Sequence, residues 1–571
     1  MKKLIAGILK KALDRGGVEL RDEEIETNIE TPPSFNMGDY SFPCFFLSKK
    51  LKQEPHEIAL MIREKIGTPT EDFEDIQTAG PYINFFISKK NLGENLLGEI
   101  LSKKEKFGMA NLGRGKKTMI EFSQANTHKA FHVGHVRGTS FGESLARIME
   151  FCGEKVIRVN YQGDSGMHVA KWIWCYKKYH SKEKLRKDDF WIASIYTDAV
   201  KRLEKNKKLQ IEVDAINRKL ESKEDAELNK LWEKTRKLSL DSFEKIYQQL
   251  NTHFDHYFFE SEFEKSGKKT AEDLLNKKIA KKSDGAVIMD IEKYNLGVWV
   301  LLRKDGTVLY SAKDLALAEK KFSEFKINQS IYVIGAAQSL HMSQLFKTLE
   351  LMKNGNVKNS KFIPVSEVRL PQGKMSSRSG ENILYCDFIK EVVDYAKKEI
   401  KKRSPKIPKK ELEERAIKIS IASIKYSMLK QNNKKNIIFR KEDALNFGGD
   451  TGPYIQYSYA RAGSILKKSK KITDKENKRK FLAEELEPKE AELLRELSQF
   501  PEIVLNSYKN FNPQIIANYS YQLSKIFNEF YHACPVIKSE EKYFRLSLVE
   551  SFRHVLKNSM NLLGIDTLEE M

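Results

Sequence analysis

The feature that most constrains the fold is a strand–turn–helix–strand pattern between Thr118 and Tyr161. Residues 118–122 (TMIEF) and 156–161 (VIRVNY) have the composition of short buried strands. Between them, apolar residues recur at the spacing of one helical face, at Phe141, Leu145, Ile148, Met149 and Cys152. Gly153 follows at the position of a C-terminal cap. The pattern predicts a βαβ unit and therefore a parallel sheet.

Two histidines, His132 and His135, lie in the turn between the first strand and the helix. Residues three apart share a helix face, and free N–H groups at a helix N-terminus attract anions. Gly134 leaves room for a nucleotide, and Lys129 adds a cation just before. We interpret the turn as a phosphate site that stabilises charge on a reacting phosphate. Alone, the motif would favour two histidines packed at an ordinary turn; the strand before it, the helix after it and a second motif downstream favour function.

A second cationic motif, KMSSR, occupies residues 374–378. Small, polar and basic residues of this kind predict a loop that closes over a triphosphate. The alternative is a basic surface loop. Two spaced phosphate motifs in one chain favour the functional interpretation of both.

Composition limits the class of protein. The chain has 571 residues, of which 40% are hydrophobic, and no apolar run approaches the length of a bilayer span. Five scattered cysteines without a Cys-x-x-Cys argue against a zinc ribbon or a disulfide framework and for a cytoplasmic location. The net charge of +21 suggests a polyanionic partner such as RNA, although a lysine-rich genome would produce the same excess.

The order of helix and strand signals predicts a multidomain chain of the α/β plus all-α class. We expect a small α/β domain at 1–107, with a helix at Pro55–Ile66 and a strand at Gly80–Ser88. Residues 108–390 should form a doubly wound, Rossmann-like parallel sheet with a helical insertion at about 180–280. A helical connecting region at 391–450 and a helical bundle at 451–571 complete the prediction.

Several polar residues are predicted at the carboxyl edge of this sheet, where doubly wound folds bind ligands. The pattern of Leu309–Phe322 predicts a strand that continues as a helix, which would place Tyr310 and Asp314 at that edge. The next strand, at 329–335, would bring Gly335, Gln338 and His341 to the same rim.

The motifs together resemble class I aminoacyl-tRNA synthetases, and specifically the arginyl-tRNA synthetase family. HVGH and KMSSR are the class signatures. The arginine-specific motifs are EFSQANTHKAFHVGHVRG, VNYQGDSG, YSAKDLA, GAAQSLHMSQLF, GDTGPYIQYSYAR and VLKNSMNLLGIDTLEEM. FNMGDYSF and AGPYINFF extend the resemblance to the N-terminal region, so that it runs almost from end to end.

The resemblance implies an enzyme that forms arginyl-adenylate from L-arginine and ATP and transfers arginine to tRNA-Arg. It implies Mg²⁺ with the ATP, no structural zinc, no membrane contact and a monomer. It assigns catalytic roles to His132, His135, Lys129 and Lys374. It assigns ATP binding to His132, Gly134, His135, Gly335, Lys374, Met375, Ser376, Ser377 and Arg378.

For arginine, the resemblance implies a pocket of Glu121, Asn126, Tyr310, Asp314 and Gln338. Carboxylates suit a guanidinium because they accept paired, charge-assisted hydrogen bonds, although either acid alone could instead belong to a structural ion pair. For tRNA it implies contacts at Tyr82 and Asn84 and an anticodon-binding role for residues 451–571.

Three departures from the family pattern matter. SQAN lacks the usual proline, so we expect a less rigid turn there. Ser377 stands where the class has its second lysine, and either Lys129 or Arg378 could compensate. Glu381 adds a negative charge beside the second signature. A synthetase for another amino acid, such as cysteine, and a catalytically silent RNA-binding paralogue remain the alternatives.

Overall fold

A computed structural model of the chain describes residues 1–30, 32, 37–369, 371, 384–472 and 485–571. Two compact units make up the chain. One contains Met1–Phe107, Ala462–Phe500 and Lys525–Val555, and the other contains Gly108–Arg461, Pro501–Ser524 and Leu556–Met571. The predicted loop residues Lys374, Met375, Ser376, Ser377 and Arg378 lie outside the described residues.

The described helices, in chain order, are α1 Lys2–Arg15, α2 Asp22–Asn28, α3 Phe45–Leu51, α4 Pro55–Ile66, α5 Lys89–Lys103, α6 Val133–Phe151, α7 Met167–Tyr179, α8 Asp189–Lys205, α9 Gln210–Ser222, α10 Ala226–Gln249, α11 Glu264–Asn276, α12 Tyr310–Phe325, α13 Ser339–Leu351, α14 Tyr385–Arg403, α15 Lys409–Leu429, α16 Lys441–Ala444, α17 Gly452–Ile472, α18 Pro488–Asn510, α19 Gln514–Ala533 and α20 Lys542–Leu562. The described strands are β1 Tyr40–Pro43, β2 Phe73–Ala79, β3 Tyr82–Ile87, β4 Lys117–Glu121, β5 Lys155–Gln162, β6 His256–Phe259, β7 Lys281–Ser283, β8 Ala286–Asp290, β9 Val298–Leu302, β10 Gln329–Gly335, β11 Ser360–Val365, β12 Val368–Arg369 and β13 Ile437–Ile438. None of these helices combines the length and the apolar character needed to cross a bilayer.

The N-terminal residues form an α/β layer, as predicted. The sheet is antiparallel, in the order β1-β3-β2, and the predicted strand is its central member. Ile83, Phe85 and Ile87 alternate along β3 and are buried, because every second side chain of a strand faces the same side. The predicted helix at Pro55–Ile66 is present with those bounds as α4, and Ile58 and Ile62 carry its buried face.

The larger unit is built on a parallel sheet in the order β11-β10-β4-β5-β6. β4 pairs with β5 on one side and with β10 on the other, so the strand order reverses at β4. The predicted βαβ unit is therefore the centre of the sheet. β6 lies inside the range predicted as a helical insertion, and the helical excursion from the sheet consists of α7, α8, α9 and α10 between β5 and β6.

The segment before α12 differs from the prediction. β7, β8 and β9 form a separate antiparallel sheet, and β9 ends at Leu302. Asp305 and Gly306 turn the chain back, with Gly306 at φ 84° and Leu302 bridged to Val308. Tyr310 and Asp314 consequently lie in the first turns of α12, which begins at Tyr310, and do not follow a strand of the parallel sheet.

The backbone of the turn between β4 and α6 is strained, and residues of other elements hold it in place. Ser123, Gln124 and His128 have φ of 79°, 50° and 61°, a region that non-glycine residues rarely adopt. His128 is fully buried, and its ring nitrogens lie 3.0 Å from Thr127 Oγ1 and 2.8 Å from Thr235 Oγ1. Its backbone N–H donates to the hydroxyl of Ser239 on α10 at 3.0 Å.

Packing of α6 against the residue after β4 yields a first prediction. A Cβ on Gly142 would stand 2.2 Å from Cγ of Phe122, whereas a Cβ on Gly138 of the same helix would have no atom within 4 Å. We expect Gly142→Ala to reduce the free energy of unfolding by about 1–3 kcal/mol through overpacking. The matched Gly138→Ala should raise it by up to about 1 kcal/mol, because alanine is the better helix former. Urea unfolding followed by tryptophan fluorescence measures both, and equal effects would contradict this packing.

A second prediction concerns pH. Burial first, then the charges of His168 and Arg236, lower the pKa of His128 to about 3. An unfolded histidine titrates near ~6.5, so the unfolded state gains protons first as pH falls. The stability that neutral His128 contributes is complete above about pH 6.5 and declines toward pH 3, by about 2 kcal/mol at pH 5.

The variant His128→Asn should therefore lose less stability between pH 7.5 and pH 5 than the parent chain, since asparagine tolerates positive φ and does not titrate. All five tryptophans lie in the larger unit, so their fluorescence reports its unfolding. His253→Asn, at an exposed residue of the same unit, is the control and should keep the parental pH slope.

Candidate active site

The carboxyl ends of four parallel strands meet at one edge of the larger unit's sheet. Glu121, Gln162, Phe259 and Gly335 are the last residues of β4, β5, β6 and β10. The strand order reverses at β4, and doubly wound folds bind ligands next to such a reversal, between the loops that follow the two diverging strands, here β4 and β10. The predicted histidine turn and most of the predicted arginine-binding residues lie at or near this edge.

The signature histidines begin α6. His132 is its N-cap residue, and its backbone N–H donates to Nδ1 of His135 at 3.1 Å. The two rings stack with centroids 3.7 Å apart. Gly134 is exposed between them, and a Cβ there would stand 2.9 Å from Cε1 of His132. Glycine therefore preserves the ring stack and leaves the helix N-terminus open to an anion.

Both imidazoles are neutral near pH 7 in this arrangement. Burial first, then the charge of Lys129, lowers the pKa of His132 to about 4. Burial, His132 and Lys129, in that order, hold the pKa of His135 well below its ordinary value. The fixed cation of the turn is thus Lys129, while the histidines offer oriented hydrogen-bond donors to charge that develops on a substrate.

A cavity of about 580 Å³ opens in front of these histidines. The sequence signature and the helical excursion line it together: Asn126, Lys129, Ala130, His132 and His135 from the turn, Lys171 from α7, Ala193, Tyr196, Thr197, Val200, Lys201 and Glu204 from α8, and Leu384. Three lysines against one glutamate make its lining basic, which suits a phosphate-bearing ligand.

Acidic and phenolic groups cluster near the start of α12. Asp314 Oδ2 lies 2.6 Å from Nε2 of His341, while its buried Oδ1 has no hydrogen-bond partner among the described residues. Burial first, then the charges of Asp314, Glu260 and Glu121, raises the pKa of Tyr161 well above its ordinary value. Burial raises the pKa of Glu260 to about 7, an effect that Lys313 opposes and Asp314 reinforces. A cation entering the cluster would relieve this crowding of negative groups.

Glu121 differs from Asp314 because the chain already supplies its cation. Oε2 of Glu121 lies 2.5 Å from Nζ of Lys321, and both side chains are buried. Gln124 Nε2 lies 3.4 Å from the other oxygen. Nζ of Lys321 also stands 3.9 Å from the centre of the Tyr332 ring. The sequence allowed either Glu121 or Asp314 to belong to a structural ion pair with a lysine or arginine. In the structure, Glu121 forms such a pair.

The remaining predicted arginine-binding residues are distributed around the same edge. Asn126 lines the cavity, and a Cβ on Gly163 would stand 2.2 Å from its Oδ1, so glycine makes room for the amide. The Tyr310 ring is 54% exposed and lies 4.8 Å from the His341 ring. Gln338 is exposed in the short helical turn that links β10 to α13, three residues beyond exposed Gly335.

The second signature lies outside the described residues, but the chain that follows it is attached to the first. Leu384 forms an antiparallel bridge with His132, and the backbone N–H of Tyr385 donates to the carbonyl of Phe131 at 2.9 Å. Buried Arg137 of α6 donates to the carbonyls of Ser366 at 2.8 Å and of residues 432 and 435 at 3.0 and 2.8 Å. The first signature and the described residues before and after the second are therefore joined by hydrogen bonds.

The two residues predicted to contact tRNA lie in the other unit and differ in exposure. Tyr82 is half-buried, with its ring 5.4 Å from that of Phe45. Asn84 is buried, and its Oδ1 accepts a hydrogen bond from Ser41 Oγ at 2.7 Å. This hydrogen bond joins β3 to β1 through the Asn84 amide, and the contact of both residues with tRNA stays a prediction.

Sequence reasoning placed His341 at the rim but gave it no role, and it did not select Glu260, Tyr161 or Lys321. Glu260 directly follows β6, a strand that the predicted insertion concealed. Tyr161 and His341 lie inside two of the motifs that carry the resemblance, so those motifs held a signal for them. Nothing local identifies Lys321, because its partner Glu121 is 200 positions away in the sequence.

Comparisons with known proteins agree along the whole chain. Residues 1–87 match the family of arginyl tRNA synthetase N-terminal domains, 96–441 that of class I (R) tRNA synthetase catalytic domains, and 455–571 that of DALR anticodon-binding domains. Arginine--tRNA ligase of Clostridium perfringens is 36% identical over 576 residues, covering 100% of both chains. The enzyme of the same name from Clostridium kluyveri is 36% identical over 575 residues, again with complete coverage.

Solved structures agree with the sequence comparison. Arginyl-tRNA synthetase of Thermus thermophilus superposes with a TM-score of 0.82 at 26% identity, covering 100% of each chain. The Plasmodium falciparum arginyl-tRNA synthetase has a TM-score of 0.79 at 24% identity and covers 100% of this chain and 99% of its own, which supports the fold. With its catalytic, N-terminal and anticodon-binding regions all matched, the chain belongs to the arginyl-tRNA synthetase family.

Proposed function

We propose that the chain activates L-arginine with ATP to form arginyl-adenylate and transfers arginine to tRNA-Arg. The observation that carries this proposal is the presence of two complementary sites at one sheet edge. A basic cavity in front of His132 and His135 suits a nucleotide, and the cluster around Asp314 suits a cationic amino acid. Activation joins these two ligands, so the sites must be adjacent.

On the nucleotide side, the N-terminus of α6 and the two imidazoles stabilise charge on the reacting phosphate. Because both histidines are held neutral, they donate hydrogen bonds without repelling a magnesium ion that accompanies ATP as part of the substrate. Lys129 adds the fixed charge and takes the place of the missing signature lysine. Gly335 gives the nucleotide access to the end of β10.

On the amino-acid side, Asp314 binds the guanidinium through its unpaired Oδ1 while His341 orients its other oxygen. Asn126, Gln338 and Tyr310 fix the rest of the substrate at the rim. A bound guanidinium would lower the pKa of Glu260 and add a second carboxylate to the pocket. Glu121 supports the pocket through its ion pair with Lys321.

The tRNA partner follows from the regions outside the catalytic domain. We propose that residues 451–571 bind the anticodon and that Tyr82 contacts the tRNA from the N-terminal domain at 1–107. The domain boundaries remain those predicted, with the catalytic domain at 108–390 and the connecting region at 391–450. We propose a cytoplasmic, monomeric enzyme.

Aminoacylation of tRNA-Arg with labelled arginine tests the proposed function. We expect arginine acceptance, and ATP–pyrophosphate exchange in the presence of tRNA. The variant His135→Ala should lower the activation rate by about 10²–10³-fold with a much smaller change in arginine affinity. His253→Ala, at an exposed histidine, is the control. Absence of both activities would favour the silent RNA-binding paralogue, and charging of tRNA-Cys with cysteine would favour a different specificity.

Substitutions of Glu121 and Asp314, the two predicted arginine-binding acids, should affect different properties of the protein. Glu121→Gln leaves the Lys321 charge buried and unpaired, so we expect a loss of about 3–5 kcal/mol in the free energy of unfolding. Adding Lys321→Met should restore most of that loss, which a double-mutant cycle measures. Asp314→Asn should instead raise the KM for arginine at least about 30-fold with little loss of stability. If Glu121→Gln raised the KM equally at unchanged stability, its role as a structural partner would be wrong.

A further inference from the structure

Outside the active site, three potential metal ligands converge between α7 and α8. Cys175 belongs to α7, His180 directly follows that helix, and Asp198 lies in the middle of α8. One donor atom from each lies within 4.8 Å of the other two. Sγ of Cys175 is 3.4 Å from Oδ2 of Asp198, and Nε2 of His180 is 3.0 Å from the same oxygen.

These separations approach those of a tetrahedral zinc site. With Zn–S near ~2.3 Å and Zn–N and Zn–O near ~2.0 Å, neighbouring ligand atoms stand about 3.3–3.5 Å apart. Two of the three pairs already have that spacing within a few tenths of an ångström. The third pair has to close by at most about 1.5 Å, which side-chain rotation at His180 can supply.

The surroundings of the cluster also match those of a metal site. Nδ1 of His180 is bonded to Oε1 of Glu183 at 2.6 Å, which fixes the ring with Nε2 toward the other two ligands. The indole N–H of Trp191 donates to Glu183 at 2.7 Å and holds that carboxylate in place. Metal-binding histidines commonly have such a carboxylate on the second nitrogen.

We propose that Cys175, His180 and Asp198 bind one Zn²⁺, with water as the fourth ligand. Cys175 is buried, but the side chains of His180 and Asp198 are 22% and 30% exposed, so water reaches the fourth position. Without metal, the two ring nitrogens of His180 face carboxylate oxygens and the Cys175 thiol faces Asp198. Zn²⁺ would bind Nε2 of His180 in its unprotonated form and release the thiol proton of Cys175.

Arg202 would compete with a metal ion for the carboxylate of Asp198. Its Nε donates to Oδ2 of Asp198 at 2.7 Å, and its guanidinium lies 3.7 Å above the Tyr179 ring. With metal bound, the guanidinium would share Oδ2 or move to Oδ1. The ion would then join the end of α7 to the middle of α8. Thr197 and Lys201, on either side of Asp198 in α8, line the active-site cavity, so the metal would hold one wall of that cavity.

Cobalt and zinc titrations of the full chain, first stripped with a chelator, test the site. We expect one Co²⁺ per chain, with the intense near-ultraviolet absorption of a thiolate–Co²⁺ bond and the visible bands of a tetrahedral ion, and displacement by Zn²⁺. Elemental analysis after dialysis should find one zinc per chain. Absence of the thiolate band in the parent chain would overturn the proposal without reference to any variant.

Matched variants identify the ligands. Cys175→Ser should abolish the thiolate band, whereas Cys44→Ser, at a buried cysteine of the N-terminal sheet domain, should keep it. Glu183→Gln keeps the protein ligands and should weaken binding by about 10–100-fold. Persistence of the band in Cys175→Ser, or its loss in Cys44→Ser, would also overturn the assignment.

Discussion

The catalytic unit depends on a strained turn that is held in place by side chains from elsewhere in the chain. Between β4 and α6, Ser123, Gln124 and His128 adopt left-handed conformations, each at a cost of about 1–2 kcal/mol. Two hydrogen bonds offset that cost at the start of the turn: Ser123 Oγ donates to the Tyr247 hydroxyl, and the Gln124 backbone N–H donates to Oδ1 of Asn160. The two acceptors come from α10 and β5, so the turn is stable only when the sheet and the helical excursion have both formed.

This support explains how a turn without the family's usual proline can still place two histidines accurately. The sequence SQAN predicts a less rigid turn, because proline would fix φ by itself. In the structure, rigidity comes from burial and from partners such as Ser239 and Thr235 on α10, more than 100 residues further along the chain. The helical excursion is therefore part of the active-site scaffold as well as a surface feature.

The sequence predicted the elements whose signal is local and missed those that depend on distant partners. The βαβ unit and α4 follow from periodicity within about twenty residues, and both are present. β6 is a four-residue strand in a charged, helical context, only its Phe258 is buried, and it is defined by its pairing with β5. β9 has ordinary strand composition, and composition cannot show that its neighbours are antiparallel.

The same distinction holds within the candidate site. His132 and His135 were predictable because a motif of four residues fixes their geometry. For Glu121 and Asp314, sequence gives two acids near one edge but cannot show which has a partner. That outcome depends on Lys321, one turn beyond the middle of α12, and on His341, which follows the next strand. Pairing decides their roles, since a compensated carboxylate stabilises the fold while one with an open oxygen attracts a cation.

The structure also shows where part of the positive charge lies. A net excess of +21 could reflect lysines scattered over every surface, and composition alone cannot distinguish that from a binding field. Lys129, Lys171 and Lys201 come from three separate elements and converge on one cavity. Burial lowers the pKa of Lys129, and the charge of Lys171 lowers it further, so the two ammonium groups repel each other when no ligand is present. A triphosphate bound between them would relieve that repulsion, so the arrangement of the two lysines favours an anionic ligand.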